Sequence, residues 1–164
     1  MTDDRAVISA QIGRPSRATA DVVVRCHLDL PVVARMPPAL EDGTPFPTRY
    51  WLTCPLAVTR VGRVEAAGGV VDVQRLLDET PALAQRMRAA HIRYAEDRGD
   101  DAGGVAGIRG EGLKCLHAHY ADHAAGGDNP AGEWTASSVE PLNCTMPCVS
   151  EDGSTNPEWR EPSL

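Results

Sequence analysis

The sequence has little of what nucleic-acid or membrane binding requires. Only one lysine, Lys114, stands among the 164 residues, and the net charge is −7. The arginines are scattered, so no basic stripe is present that could follow a phosphate backbone or an anionic membrane. No apolar run approaches the roughly 20 residues that a membrane-spanning helix needs. We therefore expect neither nucleic acid nor membrane as a partner.

Aromatic residues are also scarce, with one Phe, three Tyr and three Trp in the chain. The core must therefore depend on Val, Leu and Ala. The apolar fraction of 42% is nonetheless close to the average of soluble proteins. The length suits one domain with a real core and is short for two.

The N-terminus does not have the pattern of a signal peptide, which opens with basic residues and continues with an apolar run. Residues 1–5 read Met-Thr-Asp-Asp-Arg, so we expect a cytoplasmic protein. The cytoplasm is reducing, and five cysteines there favour metal ligands, reactive thiols or buried apolar groups over disulfides. No Cys-x-x-Cys pair is present.

The pattern of apolar and β-branched residues predicts an α+β fold. Residues 3–12 indicate a short helix, and residues 21–26, 31–36 and 48–53 indicate three strands. Because the strands are so close in sequence, we predict a small antiparallel three-stranded sheet.

Four to five helices are predicted to pack with this sheet. After the N-terminal helix, apolar periodicity indicates helices from Pro55 to Gly68, then over 70–78, 81–98 and 113–125. The segment 99–112 is rich in glycine and is predicted to be a loop. We assign residues 1–134 to a single globular domain and residues 135–164 to a polar, poorly ordered C-terminal tail.

A set of thiols and imidazoles is the most suggestive chemical feature. Two predicted strand ends carry Cys26 and Cys54, and strands one and three of a meander run in the same direction. Thiolates and imidazoles together suit zinc or an iron–sulfur cluster. The predicted metal-site residues are Cys26, Cys54, Cys115, His117 and His119. The alternative interpretation is that the cysteines are small buried apolar residues and the histidines are structural.

The local backbone decides which histidine accompanies Cys115. On a helix, Cys115 and His119 share a face at i,i+4 spacing, which favours His119. If the segment begins extended, Cys115 and His117 share a face instead. Both pairings remain open from the sequence.

Two other cysteine features are candidate sites. Cys54 precedes Pro55 at a predicted helix N-terminus, where unpaired N–H groups and the helix dipole favour a thiolate. Cys144 and Cys148 have a spacing that could clip a metal, but they lie in the predicted tail.

The glycine-rich loop before residue 113 could hold an anion. Glycines that lead into a helix N-terminus present backbone donors, and basic side chains add charge. The loop lacks the Gly-Lys-Ser/Thr ending of a nucleotide-binding P-loop. The predicted anion-binding residues are Arg109, Gly110, Gly112 and Lys114.

Several long strings of the chain, spanning about residues 20–134, resemble an uncharacterised bacterial family, number five hundred and one in the domain-of-unknown-function series. They include Tyr-Trp-Leu-Thr-Cys-Pro-Leu at 50–56, Lys-Cys-Leu-His-Ala-His-Tyr-Ala at 114–121 and Gly-Gly-Asp-Asn-Pro at 126–130. The resemblance implies no established activity. The family pattern also contains all five predicted metal-site residues, and it departs from this chain at 27–29, where Pro-x-Gly is more usual.

Three functions are compatible with these observations. The first is a Cys/His metal-binding domain with zinc or an iron–sulfur cluster. The second is a non-catalytic adaptor or regulatory module that binds another protein. The third is an enzyme that binds a phosphorylated or carboxylated metabolite at the glycine loop, so the expected partner is an unknown protein or a small anionic ligand.

Overall fold

The computed structural model describes residues 3–99 and 103–164. It shows an α+β fold with a three-stranded antiparallel sheet, as predicted. The strands are β1 (Asp21–Arg25), β2 (Pro31–Arg35) and β3 (Tyr50–Leu52), and β2 lies between the other two. The register pairs Arg25 with Pro31, and Val33 with Leu52.

Six α-helices are present in the described residues, one more than the upper end of the predicted range. The helix that the sequence did not predict is the last one. The helices are α1 (Asp4–Ile12), α2 (Pro55–Ala66), α3 (Gly69–Glu79), α4 (Pro81–Arg98), α5 (Leu116–Ala124) and α6 (Pro130–Val139).

The central strand β2 is buried on both faces, since its first four residues are all buried. On one face, the main core joins β2 to α2, α5 and α6 through side chains such as Val33, Leu56 and Leu116. On the other face, Ala34 packs with Ile8 of α1 in a smaller cluster. Such burial on both sides explains the near-continuous apolar run of β2.

Helix α6 begins with a regular N-cap, although the sequence around it is polar. The side chain of Asn129 accepts a hydrogen bond from the backbone N–H of Gly132 at 3.0 Å, and Pro130 occupies the first helical position. Both features are typical of helix starts. The proposed boundary at residue 134 therefore falls inside a helix that ends at Val139.

The residues after α6 return to the body of the molecule. The guanidinium of Arg60, in α2, donates to the carbonyls of Val139, Pro141 and Pro162. Val149 is 4% exposed, and Trp159 packs against the main core. In the described chain after Val139, the only regular backbone pairing is an isolated bridge between Val149 and Thr155. That residues 135–164 form a poorly ordered tail stays a prediction.

Within the described residues, no helix has both the length and the apolar character required to cross a membrane.

Candidate functional site

The start of α5 is the place where the structure gathers thiol, imidazole and carboxylate groups. Cys115 stands just before the helix in an extended conformation, with φ −128° and ψ 111°. Three residues earlier, Gly112 has a φ of 120°, a conformation that a side chain disfavours. The helix begins three residues later than predicted, at Leu116.

Glu65, near the end of α2, completes this group. Its Oε1 atom accepts a hydrogen bond of 2.7 Å from the backbone N–H of Leu116, so the carboxylate satisfies a free donor at the start of α5. A carboxylate is also favoured there by the helix dipole. The sequence around Glu65 does not predict its role in this group, because Cys115 and His117 lie about fifty positions further along the chain.

The three side chains are close enough to share one ion. One ligand atom each from Glu65, Cys115 and His117 lies within 4.8 Å of the other two. His117 Nδ1 lies 3.3 Å from Glu65 Oε1, and its Nε2 lies 3.0 Å from the carbonyl oxygen of Val58. All three residues are half-buried, which leaves one side of the group open to solvent.

The protonation of the group follows from these contacts. A hydrogen bond with the Cys115 thiolate raises the pKa of His117 to about 9, although burial opposes this shift. Burial alone would raise the pKa of Cys115. The hydrogen bonds from His117 and from the backbone N–H of Ala118 outweigh it, and the net pKa is lowered. These contacts favour the protonated imidazole of His117 and the deprotonated form of the Cys115 thiol.

His119 is turned away from Cys115 and into the protein interior. It is fully buried, its Nδ1 contacts the Asn129 side-chain amide, and its ring meets that of His91 edge-on at a centroid distance of 5.7 Å. Because Cys115 is extended, its nearest histidine is His117, two positions along. The helical spacing that favoured His119 begins only after Cys115.

Cys26 and Cys54 are not part of the group formed by Cys115. Cys26 follows the end of β1, and Cys54 caps the start of α2 without a side-chain hydrogen bond. The thiolate expected at Cys54 is not supported, since burial raises the pKa of this thiol to about 11. Desolvation thus exceeds the stabilisation that the helix N-terminus offers.

The glycine-rich loop contacts both ring nitrogens of His91, which belongs to α4. His91 Nδ1 accepts the N–H of Val105 at 3.1 Å, and its Nε2 lies 3.1 Å from the carbonyl of Gly112. A Cβ on Gly104 would lie 2.7 Å from His91, so glycine is required at this approach. These contacts give the loop a structural role that sequence alone did not reveal.

The predicted anion-binding residues are spread along this loop. Arg109 and Gly110 line a surface groove together with Arg88 and Glu111, which form an ion pair at 3.3 Å. Gly112 lines the neighbouring depression, and Lys114 is exposed and lines neither. Three residues separate Gly112 from the first residue of α5, so the loop does not lead directly into the helix N-terminus. Anion binding stays a prediction.

The fold and the grouped side chains define a small α+β domain with a half-buried Cys/His/Glu group at a helix start. The model of the family described as "Protein of unknown function (DUF501)" matches residues 22–103 and 98–137, which together cover most of the chain. The chain belongs to this family, and the resemblance noted in the sequence is confirmed. No curated protein and no solved structure matches it.

Proposed function

We propose that the protein binds a zinc ion through Glu65, Cys115 and His117. One observation carries the proposal: the three ligand atoms lie within 4.8 Å of one another, and each comes from a residue type that zinc accepts. Zinc bonds of about 2.0–2.3 Å require ligand atoms roughly 3–4 Å apart, so only small side-chain adjustments are needed.

The surroundings of these side chains support this proposal. A metal-binding imidazole usually donates its second N–H to a carbonyl or carboxylate, which orients the ring. His117 has that arrangement, since its Nε2 lies 3.0 Å from the Val58 carbonyl while Nδ1 is directed to Glu65. The carboxylate of Glu65 is in turn oriented by the N–H of Leu116.

Three protein ligands leave one position of a tetrahedral zinc ion for water or another small ligand. Structural zinc sites are usually closed by four protein ligands, whereas sites with three are typical of catalysis. The half-burial of all three residues allows a solvent molecule to reach this position. The proposed function is therefore an accessible zinc centre rather than a purely structural one.

Zinc affinity is the direct test, measured by competition with a chromophoric chelator on protein purified without affinity-tag metal. We expect Glu65→Gln and His117→Ala each to weaken this site at least about tenfold. His123→Gln is the matched control, because His123 lies on the same helix but outside the group. Unchanged affinity and stoichiometry in both Glu65→Gln and His117→Ala would contradict the proposal.

The affinity should also depend on pH. Zinc must replace the proton on His117, whose pKa is raised to about 9. Below that value, one proton is released from the imidazole for each zinc bound, so affinity should rise about tenfold per pH unit between pH 7 and 9. Titrations in buffers of matched ionic strength would measure this slope, and a flat profile would contradict ligation by His117.

A further inference from the structure

The other four cysteines of the chain converge at the end of the sheet where β2 begins. In the turn after β1, the N–H of Cys26 donates to the carbonyl of Leu30 at 2.9 Å. On the other side of β2, the N–H of Thr53 donates to the carbonyl of Val32 at 3.0 Å, and Cys54 follows directly. Cys26 and Cys54 therefore flank the first residue of β2 from its two neighbouring strands.

The C-terminal segment brings the remaining two cysteines to the same place. His27 Nε2 lies 2.9 Å from the carbonyl oxygen of Cys144. The Nε2 of Gln11 donates to Pro31 O at 2.8 Å and to the sulfur of Cys148 at 3.8 Å. One amide group thus joins the sulfur of Cys148 to the first residue of β2.

The surroundings of the four thiols are largely apolar. Cys54 is buried in the main core, and both Cys26 and Cys144 pack against that same cluster. Burial raises the pKa of Cys148, and the nearby thiols of Cys144 and Cys26 add to this effect. All four residues are free cysteines rather than halves of a disulfide.

We propose that Cys26, Cys54, Cys144 and Cys148 form a second site, a four-thiolate centre for a thiophilic metal whose binding displaces the thiol protons. Four thiolates from separate parts of a fold are the usual ligand set of iron–sulfur clusters and of closed zinc sites. The centre would tie the C-terminal segment to the sheet. It is separate from the zinc centre at α5, which uses the fifth cysteine.

A single tetrahedral ion would require these sulfurs to move closer together. In the described part of the chain, no three of these sulfurs lie within 4.8 Å of one another. A single zinc needs its sulfurs about 4 Å apart, given Zn–S bonds of about 2.3 Å. In an iron–sulfur cluster the thiolates bind several iron atoms, so the ligands stand further apart.

The test is metal analysis of the full chain, purified anaerobically and then reconstituted with iron and sulfide or, in parallel, with zinc. Iron with matching sulfide and visible charge-transfer absorption would establish a cluster. Zinc retained by the Cys115→Ser variant, which lacks a ligand of the α5 site, would establish a closed zinc site. Either result supports the four-thiolate centre, provided that adding Cys144→Ser or Cys148→Ser to that variant reduces the bound metal at least about tenfold.

Cys115→Ser is the matched control, since it removes a thiol from the α5 site and should leave this centre loaded. Glu65→Gln and His117→Ala should likewise leave it unchanged, so failure of one site is distinguishable from failure of the other. Cys144 and Cys148 are suitable positions because both are half-buried in the C-terminal segment rather than in the core. Equal metal content in wild type, Cys144→Ser and Cys148→Ser would overturn the proposal, as would the absence of thiolate-bound metal after both reconstitutions.

Discussion

The residue at which burial changes protonation most clearly is His119. Its side chain is fully buried, and one ring nitrogen, Nε2, has no hydrogen-bond partner among the residues that the structure describes. Burial lowers the pKa of His119 to about 4, and the neighbouring His91 adds to the shift. Hydrogen bonding with Asn129 and the charge of Asp122, which pairs with Arg93, oppose it only in part. The imidazole is therefore neutral in the folded protein.

This depressed pKa predicts a loss of stability in mild acid. The unfolded chain binds a proton at His119 near pH 6.5, whereas the folded chain does so only near pH 4. The contribution is fully present above pH 6.5 and is lost as the pH falls towards 4. A difference of about 2.5 pKa units corresponds to about 3 kcal/mol at most.

Urea unfolding of wild type and His119→Gln between pH 7 and 4.5 would measure this effect. We expect the free energy of unfolding to fall less steeply with acid in the variant, because glutamine does not titrate. Parallel slopes in wild type and His119→Gln would show that His119 does not titrate between the folded and unfolded states.

At the scale of elements, the close packing of α5 against α6 depends on one glycine. A Cβ on Gly132 would overlap the carbonyl oxygen of His119 and lie 2.5 Å from His123 Cβ. The two helices can approach this closely only where a side chain is absent. The same contact holds α5 in place, and α5 carries Cys115 and His117 at its start.

We therefore expect Gly132→Ala to destabilise the fold by about 2–3 kcal/mol, the usual range for overpacking. The matched control is Gly62→Ala in the middle of α2, where a Cβ would meet nothing within 4 Å. That change should be neutral or stabilise by up to about 1 kcal/mol, as alanine favours helix. Chemical denaturation of both variants gives the comparison, and equal stability of the two would disprove the close-packing argument.

Across the whole molecule, the C-terminal segment is held by a buried positive charge. Arg60 is 3% exposed, and its guanidinium donates to the carbonyl of the last residue of α6, to two carbonyls beyond α6 and to the side chain of Asn143 at 2.7 Å. Hydrogen bonds from a charged group stabilise more than neutral ones. Arg63, one turn further on, instead makes an exposed ion pair with Glu161.

Arg60→Met should therefore release this segment and lower the free energy of unfolding by about 1–3 kcal/mol, since the buried Val139 carbonyl loses its donor. Limited proteolysis should cut residues 140–164 faster than in wild type. Arg63→Met removes only an exposed pair, with an expected effect below about 1 kcal/mol. Similar cleavage rates for Arg60→Met and Arg63→Met would contradict the anchoring role, and rapid cleavage of the wild type would instead support a poorly ordered tail.

Local patterns in the sequence predicted the three strands and most helices, because burial and backbone preference act over a few neighbouring residues. Strand β2 and helix α4 follow their predicted bounds within one residue at each end. Helix α6 was missed because its capping residues, Asn129 and Pro130, lie in a segment whose composition resembles a loop. The late start of α5 was missed because the backbone at Cys115 departs from the helical period.

The sequence by itself determined the fold class, the family and the interest of Cys115 and its histidines. Only the tertiary structure decided that His117 rather than His119 lies beside Cys115, and that Glu65 joins them. It likewise decided that Cys144 and Cys148 return to the strand ends that carry Cys26 and Cys54. The physical reason is the same in each case: local periodicity determines which way a side chain leaves its own element, but packing between distant elements determines what it meets.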